Sequence, residues 1–181
     1  MSDTLVLYKS KRGASRQYAE WIAETLKADL HEASGFLARD FDRYAKIIYC
    51  GGLYANSING IKVIAKNRAR VSGKKIIVVA CGLSYPQIES SVLRVVNGLA
   101  KKLPEPLHKN VRLFLVRGSI TYSELRFFEN FILKMLENTL RKKDPQTYSP
   151  EEKEMADTLG RDFSFVNRES LQPILDYYKT L

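Results

Sequence analysis

Four short apolar runs punctuate the first two-thirds of the chain, at residues 5–8, 47–50, 76–80 and 111–116. They are continuous and β-branched or aliphatic rather than alternating, the pattern of strands buried on both faces of a parallel sheet. A weaker fifth run lies near residues 29–31. After the first run, Tyr18, Ile22, Thr25 and Leu26 recur at helical spacing, with Trp21 on the flank. Residues 62–70 fit a second helix and 88–99 a third, which the turn Ser84-Tyr85-Pro86 opens. Strand and helix in regular alternation predict βαβ units and one mostly parallel sheet covered on both faces.

The last third departs from that rhythm. Residues 125–140 read as one long amphipathic helix, with Leu125, Phe128, Ile132, Met135, Leu136 and Leu140 on or near one stripe. Arg141-Lys142-Lys143 then stands at its C-terminus, where the helix dipole favours cations. After a polar loop at 144–149, Ser149-Pro150-Glu151-Glu152 offers an N-cap, a first-turn proline and a capping-box acid. That helix should stop near Gly160, and a final one should cover about 171–179 and close the sheet. The two helices before it form an insertion after the last strand, at about 120–165, in a single domain spanning 1–181.

Composition narrows the class. A chain of 181 residues with 45% hydrophobic and 27% charged side chains can bury a sizeable core. No apolar run approaches the roughly 20 residues that a membrane-spanning helix needs. The stretch from Met1 has no basic region leading into a long apolar core, so no secretory signal is expected and the reading is a soluble, cytoplasmic protein. Two cysteines, Cys50 and Cys81, are then most simply reduced thiols at the ends of the third and fourth strands, either small buried hydrophobes or a redox pair.

The charge is +9 and unevenly placed. Residues 1–110 hold 18 basic and 9 acidic side chains, whereas 111–181 hold 11 of each. The densest run is Lys62, Lys66, Arg68, Arg70, Lys74 and Lys75, with no acid among them. Such a balance favours an anionic partner: nucleic acid, an acidic protein, a phosphate ligand or an anionic membrane surface. A solvated helix face with a basic bias is the plainer reading of the same run.

The candidate chemistry gathers after the strands. Lys9-Ser10-Lys11-Arg12-Gly13-Ala14-Ser15 ends the first strand and opens a helix, which is how a phosphate cradle is built. Ser10 and Ser15 can donate hydroxyl bonds, and Gly13 lets the backbone approach closely. Residues 50–60 form a long glycine-bearing loop with Tyr54 and Asn56, and residues 81–86 a shorter one with Gly82 and Tyr85. All follow C-terminal strand ends, where open parallel sheets bind ligands. Tyr54 and Tyr85 could flank a flat aromatic ring.

These stretches, together with Arg117-Gly118-Ser119-Ile120-Thr121-Tyr122-Ser123-Glu124-Leu125, resemble the flavodoxin-like superfamily. The similarity is greatest to the bacterial flavodoxin domain family that includes quinone-dependent protoporphyrinogen oxidases. The resemblance extends into 149–159 and to Asp162, Phe163 and Val166, nearly the whole chain. It implies a doubly wound five-stranded parallel sheet of order 2-1-3-4-5 and an FMN cofactor. It places Ser10, Gly13, Ala14 and Ser15 at the FMN phosphate, with Lys11 and Arg12 in the same loop. Gly52, Leu53, Tyr54, Ala55 and Asn56 would lie beside the isoalloxazine. Cys81, Gly82, Leu83 and Tyr85 would lie on its far side, with Gly118 nearby. Flavodoxins usually carry hydroxyl residues on both sides of the glycine; here Arg12 precedes Gly13, where it could pair with the phosphate, and Ala14 follows.

The function implied is electron transfer between a reductant and an acceptor, either a redox partner protein or a small molecule. One alternative is a protoporphyrinogen-oxidase-like flavoenzyme, whose Phe127, Phe128, Phe131 and Arg141-Lys142-Lys143 would meet a membrane surface and a quinone. Another is a flavin-less fold with a basic face for an anionic partner. Nucleic acid is the disfavoured partner, and a homodimer stays open. No acid stands at the end of the first strand to hold a receiver-domain metal, and neither a dinucleotide glycine fingerprint nor a Walker-type loop is present. His31 and His108 stand alone, so no metal site is expected. No catalytic acid–base pair is expected either, because the flavin carries the chemistry.

Overall fold

The computed structural model describes residues 2–54, 57–83, 85–105, 107–125 and 127–181. In chain order the elements are β1 (Thr4–Lys9), α1 (Ala14–Leu26), β2 (Asp29–Glu32), β3 (Lys46–Tyr54), β4 (Ser57–Ile58), α2 (Lys62–Lys66), α3 (Arg68–Val71), β5 (Lys75–Gly82) and α4 (Glu89–Ala100). There follow β6 (Val111–Arg117), β7 (Ser119–Ile120), α5 (Phe127–Arg141), α6 (Pro150–Thr158), β8 (Phe163–Ser164) and α7 (Gln172–Tyr178). The chain forms two compact units, one of residues 1–118 with 166–181 and one of residues 119–165.

The larger unit is built on a sheet of order β2-β1-β3-β5-β6. All its pairings are parallel, while the short β4 folds back antiparallel on β3. Counting the parallel strands alone, the order is 2-1-3-4-5, as the resemblance implies. The continuous apolar runs are explained by burial on both faces. Leu5, Leu7, Ile47, Tyr49, Ile76 and Val78 pack on one face with Phe41, Ile64, Val71, Val95 and Leu99. Val6, Ile48, Cys50, Ile77, Val79 and Cys81 pack on the other with Tyr18, Ile22, Leu171 and Ile174. The first face is therefore covered by α2, α3 and α4, and the second by α1 and α7. Tyr18 ties the second layer together: its hydroxyl donates to the Arg117 carbonyl at 2.8 Å and accepts from the Asn167 N–H at 3.1 Å.

Three expectations are corrected. The helix foreseen over 62–70 is two short ones, broken at Asn67, which has φ −102° and ψ 25°. The Asn67 side chain donates to the Val63 carbonyl at 2.8 Å, the local competition with the helix ladder that makes Asn a breaker. The third strand does not end at Cys50. It runs on to Tyr54, because Gly51 and Gly52 keep their parallel pairing with Ala80 and Cys81 while Leu53 and Tyr54 pair with Ile58 and Ser57.

The third correction lies in the smaller unit. Helix α5 begins at Phe127, so Leu125 precedes it, and Met135 is 55% exposed. Leu140 is buried as the stripe predicts, and Leu133, seven residues before it and so on the same line of the helix, is buried too. The side chains of Phe127, Phe128, Ile132 and Leu136 lie outside the description. Arg141 pairs with Glu137 at 2.7 Å and Lys143 with Glu152 at 2.8 Å, so the basic run is largely neutralised within the unit. Ser149 and Glu152 form the capping box of α6. The β7–β8 ribbon joins the ends of the unit, and Tyr122 braces it: its N–H donates to Asp162, and its hydroxyl accepts from the Gly160 N–H.

Candidate functional site

The loop after β1 reaches α1 through Gly13, whose φ of +87° is the left-handed region that glycine enters without strain. A Cβ at Gly13 would meet nothing within 4 Å, so the space above the turn is open. Helix α1 has no side-chain cap at its N-terminus and no acid in its first turn. Its leading N–H groups lack intrahelical partners and carry the positive end of the helix dipole. Around this turn Ser10, Arg12 and Ala14 are half-buried and Lys11 is exposed. Ser15 points the other way. It is buried, and its side chain hydrogen-bonds Cys81.

The second wall is a hairpin rather than a loop. A Cβ on Gly51 would sit 2.6 Å from Ile58 Cγ2 and 2.8 Å from the Asn59 carbonyl, so glycine is what lets β4 close. Gly60, at φ +75°, makes the turn, and a Cβ there would strike the Tyr49 hydroxyl. That hydroxyl donates to the Asn59 carbonyl at 2.6 Å, and the Asn59 N–H donates to the Gly52 carbonyl at 2.8 Å. The Asn59 side-chain Nδ2 is buried and has no hydrogen-bond partner among the described residues.

Contacts bring the strand ends together. Lys11 Nζ lies 4.2 Å from the centre of the Tyr54 ring, and that ring covers Gly52. Leu53 packs on Gly82, where a Cβ would come within 2.9 Å of it. The Gly118 N–H donates to the Gly82 carbonyl at 2.8 Å, and a Cβ at Gly118 would lie 3.1 Å from Cys81 Sγ. The Arg117 guanidinium covers the Tyr85 ring at 4.3 Å. Leu83 is half-buried beside them. Of the residues singled out from the sequence, Ala55 and Asn56 lie outside the described residues, as does Ser84. No carboxylate occurs at 9–15, 50–60, 81–86 or 117–118, so this sheet edge is a donor-rich, cationic surface. The nearest acid at the edge, Glu32, pairs with Lys9 at 3.0 Å; its pKa is lowered first by the Ser34 hydrogen bond and then by Lys9.

Sequence reading placed Asn59 and Gly60 in the 50–60 loop without seeing the hairpin they close, and it missed Arg117 as part of this edge. The Asn59-Gly60 dipeptide is a turn signal that could have located the hairpin. Both cysteines are free and buried. Burial pushes the Cys50 thiol up, and it pushes Cys81 up to about 12 against the opposing pull of Ser15. Reactive thiols need the reverse shift, so both serve as packing groups. His31 packs on Phe36, and His108 lies 3.7 Å from Glu105. Among the described residues no cluster of His, Cys, Asp or Glu could hold a metal ion, and no helix is long and apolar enough to cross a membrane.

The model of the flavodoxin domain family matches residues 5–147. A search of curated proteins gives no match. Among solved structures, the Trp repressor binding protein of Bacillus subtilis is 16% identical, with 78% of this chain and 99% of that chain covered and a TM-score of 0.48. The flavodoxin of Streptococcus pneumonia TIGR4 is 17% identical over 71% of this chain and 93% of that chain, with a TM-score of 0.45. An azoreductase of Bacillus anthracis str. Sterne is 11% identical over 87% and 98%, with a TM-score of 0.42. The family match supports a flavin cofactor, and the residues present fit one. An uncapped helix N-terminus behind an open glycine turn suits an anionic tail. The buried Asn59 Nδ2 is a donor for a polar ring edge.

Proposed function

The chain belongs to the flavodoxin domain family, and on that premise we propose that it binds FMN at the strand ends and passes electrons between a reductant and an acceptor. Family membership supports a flavin-binding redox protein in general terms. The observation that carries the finer reading is the open turn at Gly13 leading into an uncapped, acid-free helix N-terminus. In this reading the N–H groups of Ala14, Ser15 and Arg16 hold the phosphate, with the Arg12 guanidinium as a charged donor. The Ser15 hydroxyl, bonded to Cys81, anchors the turn to the core instead of reaching outward. Tyr54 and Tyr85, each carrying a cation on its face, border the ring, and Asn59 Nδ2 bonds its polar edge. FMN, when bound, supplies the electron and hydride chemistry, so the protein needs no catalytic acid–base pair.

The test is direct. The purified chain is mixed with excess FMN, desalted, and its visible spectrum recorded before and after dithionite. Retained flavin absorbance that bleaches and returns in air supports the reading. A colourless protein that leaves FMN fluorescence unquenched overturns it.

A second reading rests on α5, where Phe131 is 53% and Met135 55% exposed. Such an apolar face suits a membrane surface and a quinone acceptor, in the manner of protoporphyrinogen oxidases. The internal pairing of Arg141 and Lys143 counts against it, because those cations are already engaged. Flavin-dependent oxidation of protoporphyrinogen with a quinone would support this reading, and absence of turnover would remove it.

A further inference from the structure

A second anion-competent feature lies on the face of the sheet covered by α2, α3 and α4. Between the α2–α3 pair and the end of α4 runs a groove of about 860 Å³. Six cations line it: Lys62, Lys66, Arg68 and Arg70 from one side, Lys101 and Lys102 from the other. No carboxylate lines it. Arg70 is tied to Asp42, but none of the other five forms an ion pair among the described residues. Glu105, just beyond the groove, is engaged by Lys109 at 3.3 Å. Ala65, Ala69 and Ala100 keep the lining short, and Leu103 and Pro104 give it an apolar part.

Helix dipoles account for part of this arrangement: Lys66, Arg68 and Arg70 stand in the last turns of α2 and α3, and Lys101 and Lys102 follow the C-terminus of α4, where cations are favoured. Lys62 opens α2, where the dipole disfavours one, and faces Lys66 one turn on as a like-charge pair. The fold thus brings together like charges from segments more than thirty residues apart in sequence, and among the described residues only Arg70 is paired with an acid. The volume falls within the range of small-molecule sites, about 300–1,000 Å³, in a groove that is open to solvent.

We infer that this groove binds a small ligand carrying two or more linked phosphates on an organic body, with the phosphates held by Lys66, Arg68, Lys101 and Lys102. The inference is independent of the flavin reading. Helix α3 ends just before β5 starts and α4 ends on the way to β6, so the groove opens toward the N-terminal edge of the sheet. The glycine loops stand at the other edge, and the eight residues of β5 separate the two by about 25 Å.

The probes are ADP, AMP and pyrophosphate, titrated calorimetrically into the full chain at low salt. The expected result is saturable binding of one ADP per chain, about tenfold tighter than AMP because the second phosphate adds charge-assisted bonds. Affinity should fall steeply between about 50 and 200 mM salt. The variant Lys66→Gln/Lys101→Gln should lose about tenfold or more in affinity. Gly13→Ala, at the flavin loop, should bind ADP as the wild type does. Three results overturn the inference: no saturable heat with ADP or pyrophosphate, equal affinity in the groove variant, or loss of binding in Gly13→Ala alone. Tight binding of a DNA duplex without binding of ADP also overturns it. Failure of FMN retention leaves every one of these outcomes readable.

Discussion

The two cationic regions of this molecule are built from different parts. At the C-terminal strand ends the donors are largely backbone groups, arranged by glycines at +87° and +75° and fastened to the core through Ser15, Tyr49 and Cys81. In the groove beside α2, α3 and α4 the donors are long exposed side chains. Backbone donors are pre-organised but exist only while the local fold holds. Side-chain donors tolerate substitution individually and act through summed charge. Function at the first region should therefore be inseparable from stability, whereas at the second the two should come apart.

The strongest test of that contrast is Gly60→Val. A branched side chain would be forced to φ +75° and onto the buried Tyr49 hydroxyl that fixes the hairpin. The expected loss is about 3–5 kcal/mol in urea unfolding, with flavin retention abolished. A variant that unfolds normally and still retains flavin would separate the hairpin from the site.

Alkaline pH gives the next largest effect. In the unfolded chain a thiol titrates near pH 8.5, but in the folded chain Cys81 holds its proton up to about 12. Between these values the native state binds the extra proton, so stability is full below about pH 8.5 and declines as pH rises toward 12. The loss should run at about 1.4 kcal/mol per pH unit across that window, and burial of Cys50 and Tyr49 works in the same direction. Urea unfolding at steps of about one pH unit from about pH 8 upward measures the decline, and stability that stays flat across that window overturns it.

Gly13→Ala is milder. The turn sits at φ +87° but a Cβ there meets open space, so only backbone strain is added, about 1 kcal/mol. Thermal unfolding should fall by a few degrees and FMN affinity should fall with it, because the strain that destabilises the turn also reorients the leading N–H groups. An unchanged FMN affinity would show that side chains, not backbone, hold the phosphate.

The same division explains what was legible in the sequence. The parallel sheet was visible because strands buried on both faces leave continuous apolar runs, as 76–80 does, and the start of α6 was visible because Ser149 and Glu152 write their capping box directly. The Gly13 turn was visible because a backbone requirement leaves a local mark. The course of β3 was not, since Gly51 and Gly52 read as loop residues until pairing with Ala80 and Cys81 holds them extended. Nor was Ser15 turning into the core toward a cysteine many residues away. The groove stayed hidden in part: the run 62–75 was conspicuous, but only folding adds Lys101 and Lys102 to it.

The smallest effect tests whether those side chains are a site or an accident of composition. Lys62, Lys66, Lys101 and Lys102 are exposed and carry no ion pair among the described residues, so neutralising two of them removes repulsion and no packing. Lys66→Gln/Lys101→Gln should therefore change stability by less than about 0.5 kcal/mol, toward a gain at low salt. Raising salt from about 50 to 200 mM should stabilise the wild type more than the variant, because screening relieves repulsion that the variant no longer has. Thermal unfolding at both salt levels measures the difference. If the variant were clearly less stable than the wild type, the lysines would be structural, and their clustering would be explained without a ligand. If it is as stable or more so, the fold does not need these charges, and the ADP titration then separates a site from a solvated basic face.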